Sequence, residues 1–418
     1  MLANFFSTGL DLFAFVLPVS IAATNIIFFP LAAVWLFGAR WTFSRWAPVW
    51  GWPEKLFLVF LGVSLLSAFL GVDTRHSLKE IKNKDFYILM TIVLVALVRD
   101  SDKNARLLKL FMIAGLGTAL WGLIQCALGI NQTDKSGGIF LHLPAFAAAW
   151  PRPLLDHLSM VDGRVLGTRG HPLAYAECLL FNWAFALSFL LISQGRRWLK
   201  WTLATVLIGA ALLTSQSRGP WIAAALMTLL AMAMSTTRRR WFLLGVCVLF
   251  TALFASIPVL RQRATSILDR SHHSNNERMH MWRVGWRMWK TRPLLGVGPG
   301  NVKVISADFQ DPDEKQWGAW GHLHSIYVNF MVERGVAGTA AFLLFIGALF
   351  RELWLALRRS AGDPPREAVL KATLLGMVGF LISGFTETDY NTAVVMMTFY
   401  FVVGLALALA RHESRLHA

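Results

Sequence analysis

Charged residues are scarce in this chain, and their scarcity excludes an ordinary soluble protein. Only 15% of the 418 residues are Asp, Glu, Lys or Arg, whereas an average soluble domain holds about 25%. Hydrophobic residues make up 56% of the chain. They are gathered in runs near the roughly 20 residues that cross a bilayer. The sequence therefore predicts an all-α, polytopic integral membrane protein, with residues 1–418 forming a single transmembrane domain.

Several common site chemistries are also missing. The three cysteines, Cys126, Cys178 and Cys247, lie inside apolar runs, form no CxxC pair and have no ligand spacing with histidine, so neither a disulfide framework nor a zinc site is predicted. The chain has no phosphate-binding loop of the Walker A type, no HExxH and no nucleophile elbow. Neither long loop holds a closely spaced acidic pair of the kind that binds magnesium. We therefore expect no metal and no cofactor.

Twelve apolar runs are predicted to be membrane helices. They are residues 5–20, 24–38, 55–71, 85–98, 106–128, 172–193, 198–214, 219–235, 241–257, 335–355, 367–386 and 391–410.

The distribution of basic residues orients these helices. One set of loops, with the C-terminal tail, carries 19 Lys and Arg, whereas the short loops on the other side carry 5. Basic loops stay in the cytoplasm, so both termini are predicted to be cytoplasmic. The long loops 129–171 and 258–334 are then external, and we expect them to form a helical region that holds the active site.

The net charge of +16 would also suit a nucleic-acid-binding protein. The basic residues sit mainly between apolar runs, however, as in 238–240 and 358–359. This pattern is typical of membrane topology, and anionic lipid is the expected partner rather than nucleic acid.

The second external loop contains an amphipathic segment. Three tryptophans recur at i, i+4 and i+7, and three cations repeat that spacing on the adjacent face: Trp282, Trp286, Trp289, Arg283, Arg287 and Lys290. The pattern predicts a helix in the headgroup layer, with its indoles toward lipid and its cations on lipid phosphate.

Polar residues of the external segments are the candidates for chemistry. They are Arg164, Arg169, Gln216, Arg218, Glu277, Arg278, His322, His324 and Ser325. Simpler interpretations exist: an arginine can extend to the headgroup layer, Glu277 and Arg278 can cap a helix, and a histidine can be a polar tip at the interface. After His324 the chain is apolar until Glu333 and Arg334, which predicts a short half-buried interfacial helix, with a true span starting near Gly335.

Arginine and histidine together fit one kind of reaction. Guanidinium groups bind phosphate oxygens in bidentate fashion, and a histidine suits proton removal from a hydroxyl near neutral pH. A transferase that uses a lipid-diphosphate donor needs both functions and needs no nucleotide.

Four motifs in order resemble the O-antigen ligase and O-antigen polymerase family. They are the SQSRG turn at 215–219, the NERxxxW segment at 276–282, the PLLGVGPG string at 293–300, and a His-Ser pair at 324–325 followed at fixed spacing by Gly335 and Gly338. Members are bacterial inner-membrane glycosyltransferases, and the resemblance implies a GT-C-like bundle with a periplasmic site.

The resemblance implies a reaction and roles for individual residues. A ligase moves O-antigen from undecaprenyl diphosphate to lipid A–core oligosaccharide, with inversion and without metal. By this resemblance His324 is the general base, and Arg218 and Arg278 hold the diphosphate. Two alternatives remain: an O-antigen polymerase, which differs chiefly in its acceptor, and a flippase or transporter of lipid-linked sugars.

Overall fold

A computed structural model describes residues 2–39, 50–135, 138–148, 150–269, 271–312, 314–315 and 318–416. Helices dominate these residues. They are α1 (Leu2–Val16), α2 (Ile21–Ala39), α3 (Trp52–Leu70), α4 (Thr74–Lys84), α5 (Ile88–Leu97), α6 (Ser101–Leu128), α7 (Arg152–Leu158), α8 (Pro172–Ile192), α9 (Gly195–Thr214), α10 (Arg218–Ala233), α11 (Thr237–Ser256), α12 (Pro258–Thr265), α13 (His273–Thr291), α14 (Val302–Ile305), α15 (Ile326–Arg359), α16 (Pro364–Ser383) and α17 (Ala393–Leu416).

The all-helical membrane architecture is confirmed. Among the described residues, six helices are long and apolar enough to cross a membrane, namely α3, α6, α8, α11, α15 and α17. Helices α1, α2 and α10 are apolar but shorter. The total of twelve spans stays a prediction.

The segment after α3 differs from expectation. Residues 72–84, predicted to be a short loop, form the polar helix α4. The predicted span 85–98 is reduced to a 3-10 turn and the ten residues of α5. Ten helical residues extend about 15 Å, half of a bilayer core, so α5 is too short to cross alone.

The first long loop, 129–171, is not purely helical, which corrects another prediction. Strands β1 (Asn131–Lys135), β2 (Gly138–His142) and β3 (Met160–Val161) form a sheet in the order β2-β1-β3. Strand β1 pairs antiparallel with β2 and parallel with β3. Polar and apolar residues alternate too briefly in these strands for the pattern to be distinctive.

Helices α8, α16 and α17 supply much of the interior. Helix α8 packs against α16, α9 and α10, while α15 packs against α3 and α17 against α5. Glycines permit the close approaches, as Gly376 of α16 does where it faces the ring of Phe181. The starts of α8, α10, α15 and α17 and the end of α16 meet at one end of this bundle.

The predicted break near Gly335 is present. Gly335 has φ 66° and interrupts α15. Glu333 and Arg334 are both buried, and Arg334 lies 3.3 Å from the carboxylate of Asp85, which also accepts a 2.6 Å hydrogen bond from the Tyr390 hydroxyl. Three of the nine residues 326–334 are partly exposed, while the charge of Arg334 is paired inside the protein. The position of this helix at the membrane interface stays a prediction.

Helix α13 exists as predicted but packs differently. It buries Met281, Val284 and Met288 against the protein, while Trp286 is 55% exposed. Arg287 donates to Asp311 and to Glu314. That cation is held by protein carboxylates and not by lipid phosphate, since the intervening loop folds back over the helix.

Candidate active site

Arg218 lies at a strained turn between α9 and α10. Gln216 adopts φ 50°, in the left-handed region that only a tight turn normally demands. Arg218 then begins α10 and is buried. Its guanidinium donates to the carbonyl and hydroxyl of Ser266 at 2.8 and 3.2 Å and to the hydroxyl of Ser274 at 2.6 Å. These acceptors are neutral, so they fix the group without cancelling its charge.

Two further arginines are tied to the same turn. Arg164 donates to the carbonyl of Ser215 at 3.2 Å and to the hydroxyl of Ser217 at 3.0 Å. Arg263, on α12, donates to the carbonyl of Gln216 at 3.1 Å. The SQSRG turn thus collects arginines from three separate segments of the chain.

Glu387 connects the arginines to His324. One carboxylate oxygen accepts a 2.6 Å hydrogen bond from Arg278, and the other lies 3.2 Å from Nδ1 of His324. A carboxylate only accepts, so Nδ1 carries the proton in this pair. Burial opposes the ionisation of Glu387, but the hydrogen bond with His324 and the charge of Arg278 outweigh it and lower the pKa of the carboxyl. The second ring nitrogen, Nε2, is then left as the basic atom.

The backbone around His324 is also constrained. His324 has φ 46°, a left-handed backbone conformation that non-glycine residues rarely adopt. Leu323 on one side donates from its N–H to Asn329 at 3.2 Å and accepts from the Trp282 indole at 3.0 Å. Ile326 on the other side donates to the carbonyls of Gly384 and Glu387. The histidine is therefore held in one position relative to the Glu387 loop.

These side chains line one cavity of about 230 Å³ at that end of the bundle. Its lining residues are Arg164, His171, Leu173, Ser217, Arg218, Arg263, Ser274, Glu277, Arg278, His324 and Glu387. Four arginines face two carboxylates, so the cavity carries a net positive charge. It brings together Arg218, Arg278 and His324, the three residues to which the family resemblance gave roles.

The arginines repel one another in this cavity. Burial and the charge of Arg263 lower the pKa of Arg164 to about 10. Burial and the charge of Arg278 likewise lower the pKa of Arg263. The repulsion between these arginines is relieved when an anion binds among them. Groups whose pKa is shifted by burial and by neighbouring charges are typical of functional sites.

A second cavity, of about 250 Å³, adjoins the first. It shares His171, Leu173, His324 and Glu387 with the arginine cavity and adds Ala174, His322, Thr388, Asp389 and Thr392. No lysine or arginine lines it among the described residues. The rings of His322 and His324 meet edge to face, with centroids 4.3 Å apart.

The other candidate residues occupy distinct places. Glu277 lines the arginine cavity and accepts from the Trp320 indole at 3.2 Å. Arg169 is buried outside both cavities and donates to the carbonyl of Leu17 at 2.6 Å. Gln216 shapes the turn through a 2.8 Å bond to the carbonyl of Gly163, and Ser325 caps α15. The structure thus does not place Arg169, Gln216 or Ser325 as lining residues.

Sequence reasoning missed several lining residues, above all Glu387. The segment Thr386–Tyr390 carries two acids immediately after a predicted span, yet only basic residues were counted there. Arg263 was missed because it sits in a basic stretch with no motif around it. His171 was overlooked because a histidine before a proline first suggests a turn; its Nδ1 accepts from the N–H of Leu173 at 3.3 Å and caps α8.

Comparison with known proteins identifies the central part of this site. Residues 203–343 match the family model described as O-antigen ligase. That segment is similar to the O-antigen ligase family. It holds Arg218, Arg263, Arg278 and His324, whereas Arg164 and Glu387 lie outside it. No curated protein matches the chain.

The match confirms the family resemblance drawn from the motifs. Similarity to the O-antigen ligase family implies a glycosyltransferase-like activity on lipid-linked polysaccharide. The apolar helices and the similarity to this family together indicate a multi-pass membrane protein.

Proposed function

We propose that the protein is an O-antigen ligase that transfers O-antigen polysaccharide from undecaprenyl diphosphate to lipid A–core oligosaccharide. The observation that carries this proposal is the single cavity in which four arginines face His324 and its partner Glu387. The arginines suit a diphosphate, and the histidine suits an attacking sugar hydroxyl. The bundle would be GT-C-like, with this cavity at the periplasmic face of the inner membrane and both termini in the cytoplasm.

The donor diphosphate is assigned to the arginine cavity. A guanidinium binds two phosphate oxygens at once through parallel N–H donors. Arg263 is fixed through Nε alone, so both terminal nitrogens of its guanidinium can donate into the cavity. Arg218 is held through both terminal nitrogens and supplies its positive charge from a fixed position. Positive charge placed in advance where a leaving group gains negative charge stabilises the transition state.

His324 is assigned the role of general base. Its Nε2 takes the proton of the acceptor hydroxyl as that oxygen attacks the anomeric carbon of the donor sugar. The bond from that carbon to the diphosphate breaks, and undecaprenyl diphosphate leaves with the electron pair. Attack from the opposite face inverts the anomeric configuration. Glu387 stabilises the imidazolium that forms and holds Nδ1–H in place.

Charge neutralisation by arginine makes a metal unnecessary in this mechanism. Transfer between purified components should therefore persist in EDTA without added nucleotide. Purified components are required because chelators also strip divalent cations from lipopolysaccharide. Activity lost in EDTA and restored by magnesium would contradict this part of the proposal.

A lipopolysaccharide gel from a strain deleted for this protein tests the function. The ligase proposal predicts core lipid without polymer, together with accumulated undecaprenyl-linked polymer. Core lipid carrying a single repeat would indicate a polymerase instead. Purified protein that binds the donor but forms no product in detergent would indicate a flippase or transporter.

A further inference from the structure

The two cavities that share His324 differ in chemistry. The first carries four arginines, whereas the second is lined by His322, Thr388, Asp389 and Thr392 beside the shared residues. Arginine and lysine side chains are favoured donors for phosphate. A sugar ring requires neutral donors and acceptors at several positions. The imidazole of His324 thus lies between two cavities. The arginine cavity suits a diphosphate, and the second cavity suits hydroxyl groups.

Polar atoms of the second cavity lack partners within the described protein. Nδ1 of His322 and Oδ2 of Asp389 are buried and accept or donate no hydrogen bond there. Asp389 is only 1% exposed. The carboxyl of Asp389 is also hydrogen-bonded with Glu177 and Ser383, so only part of its hydrogen-bonding capacity is left over. Leaving a buried polar atom unsatisfied costs about 1–3 kcal/mol. A bound molecule with hydroxyl groups would remove that cost.

The protonation of both groups suits a neutral ligand. Burial, with the nearby charge of His324, lowers the pKa of His322 to about 4, so this imidazole is uncharged at neutral pH. Burial, with the charge of Glu387, raises the pKa of Asp389 well above its ordinary value. A protonated carboxyl both donates and accepts, as a sugar hydroxyl does.

We propose that the second cavity is the acceptor subsite, in which His322, Asp389 and Thr392 hold the acceptor saccharide and present one of its hydroxyl groups to Nε2 of His324. The proposal rests on the proposed transferase function and goes beyond it by separating the acceptor from the donor. The acceptor hydroxyl enters from the arginine-free side, and the donor diphosphate leaves on the arginine side. The two substrates then bind on opposite sides of His324, and the acceptor does not occupy the arginines that bind the donor.

Measuring KM for the donor and KM for the acceptor separately tests whether the two substrates occupy different cavities. The assay uses purified full-length protein, undecaprenyl diphosphate-linked O-antigen, and lipid A–core extracted from a strain that lacks this protein. Thr392→Val, which keeps the shape but loses the hydroxyl, should raise the acceptor KM about tenfold and leave the donor KM within about twofold. Asp389→Leu should do the same, and Asp389→Asn, whose amide also donates and accepts, should restore the acceptor KM.

Two control variants complete the test. Thr202→Val, on α9 at the opposite end of the bundle, should change neither constant. Arg263→Ala should raise the donor KM and leave the acceptor KM unchanged. An acceptor KM unaffected by Thr392→Val and Asp389→Leu would overturn the proposal, as would a rise in the donor KM alone.

A binding measurement separates this proposal from the function on which it rests. Saturation-transfer NMR with delipidated core oligosaccharide should detect contact with the wild-type protein and a loss of signal in Asp389→Leu. If wild-type protein forms no product but this contact and its loss are seen, the ligase function fails and the saccharide subsite stands. Equal signals in the two proteins would refute the subsite whether or not transfer occurs.

Discussion

Glu387 links the arginines of the site to His324, the proposed general base. Its two oxygens contact Arg278 and His324 separately, so it orients the imidazole and balances one guanidinium at the same time. In this respect it resembles the buried carboxylate of a serine-protease triad, whose replacement by an amide lowers the rate about 10⁴-fold.

Replacing Glu387 tests that role. We expect Glu387→Gln to lower kcat by about 10²–10⁴-fold. Glu367→Gln, at the other end of α16, is the control and should leave kcat unchanged. A wild-type kcat in Glu387→Gln would contradict the role of Glu387 as the partner of His324.

His322 gives the folded protein a defined pH dependence. Its folded pKa of about 4 lies below the ordinary value of about 6.5. Between these values the unfolded chain binds more protons than the folded one, so stability falls as pH falls through this window. Melting in detergent at pH 7 and pH 5 should show a smaller drop in Tm for His322→Asn than for wild type. His142→Asn, at an exposed position, should keep the wild-type drop; an equal drop in all three proteins would count against the buried neutral histidine.

The break between the two halves of α15 lies at Gly335, a glycine of the fourth sequence motif. Gly335 has φ 66°, and a Cβ there would overlap the carbonyl of Leu294. We expect Gly335→Ala to cost at least about 2 kcal/mol, through the left-handed backbone and the overlap, and to lower Tm and expression. Gly347→Ala in the same helix meets open space and should be neutral or stabilising. Equal effects of the two variants would show that the break at Gly335 is dispensable.

The ion pair between α15 and the segment before α5 fixes the loop that carries the acidic residues. Arg334 lies against the rings of Phe330 and Tyr390 and beside Asp85, which also binds Tyr390. Removing one partner of a buried pair typically costs about 3–5 kcal/mol. Asp85→Asn should therefore lower Tm and activity together.

A triple variant separates the buried charges from their surroundings. Glu333 also lies 3.5 Å from Arg334, so Asp85→Asn, Glu333→Gln and Arg334→Met together remove all three charges, and replacing a whole buried set of charges by uncharged groups is often nearly neutral. We expect this protein to recover much of the Tm lost in Asp85→Asn. A triple variant less stable than Asp85→Asn alone would contradict a penalty that arises from the uncompensated charge.

At the scale of the whole molecule, the sequence predicted the helical membrane class and identified three residues that lie together in the site. Both results follow from strong local signals. Apolar runs of bilayer length have few other interpretations. Arg218, Arg278 and His324 each stood in a recognisable motif. Glu387 and Arg263 had no such motif, since their roles depend on which helix ends meet in space. The small sheet of 131–161 and the buried Arg334 likewise depend on partners far away in the chain.

The central claim is that His324 accepts a proton from the acceptor while the arginines hold the donor, and reconstituted transfer by His324→Ala tests it most directly. The account predicts that His324→Ala, assayed with purified donor and lipid A–core at saturating concentrations, loses at least about 10²-fold in kcat but binds undecaprenyl diphosphate-linked O-antigen as wild type does. His142→Ala should remain fully active. His324→Ala protein that turns over at the wild-type rate, or that loses donor binding along with turnover, would contradict the account.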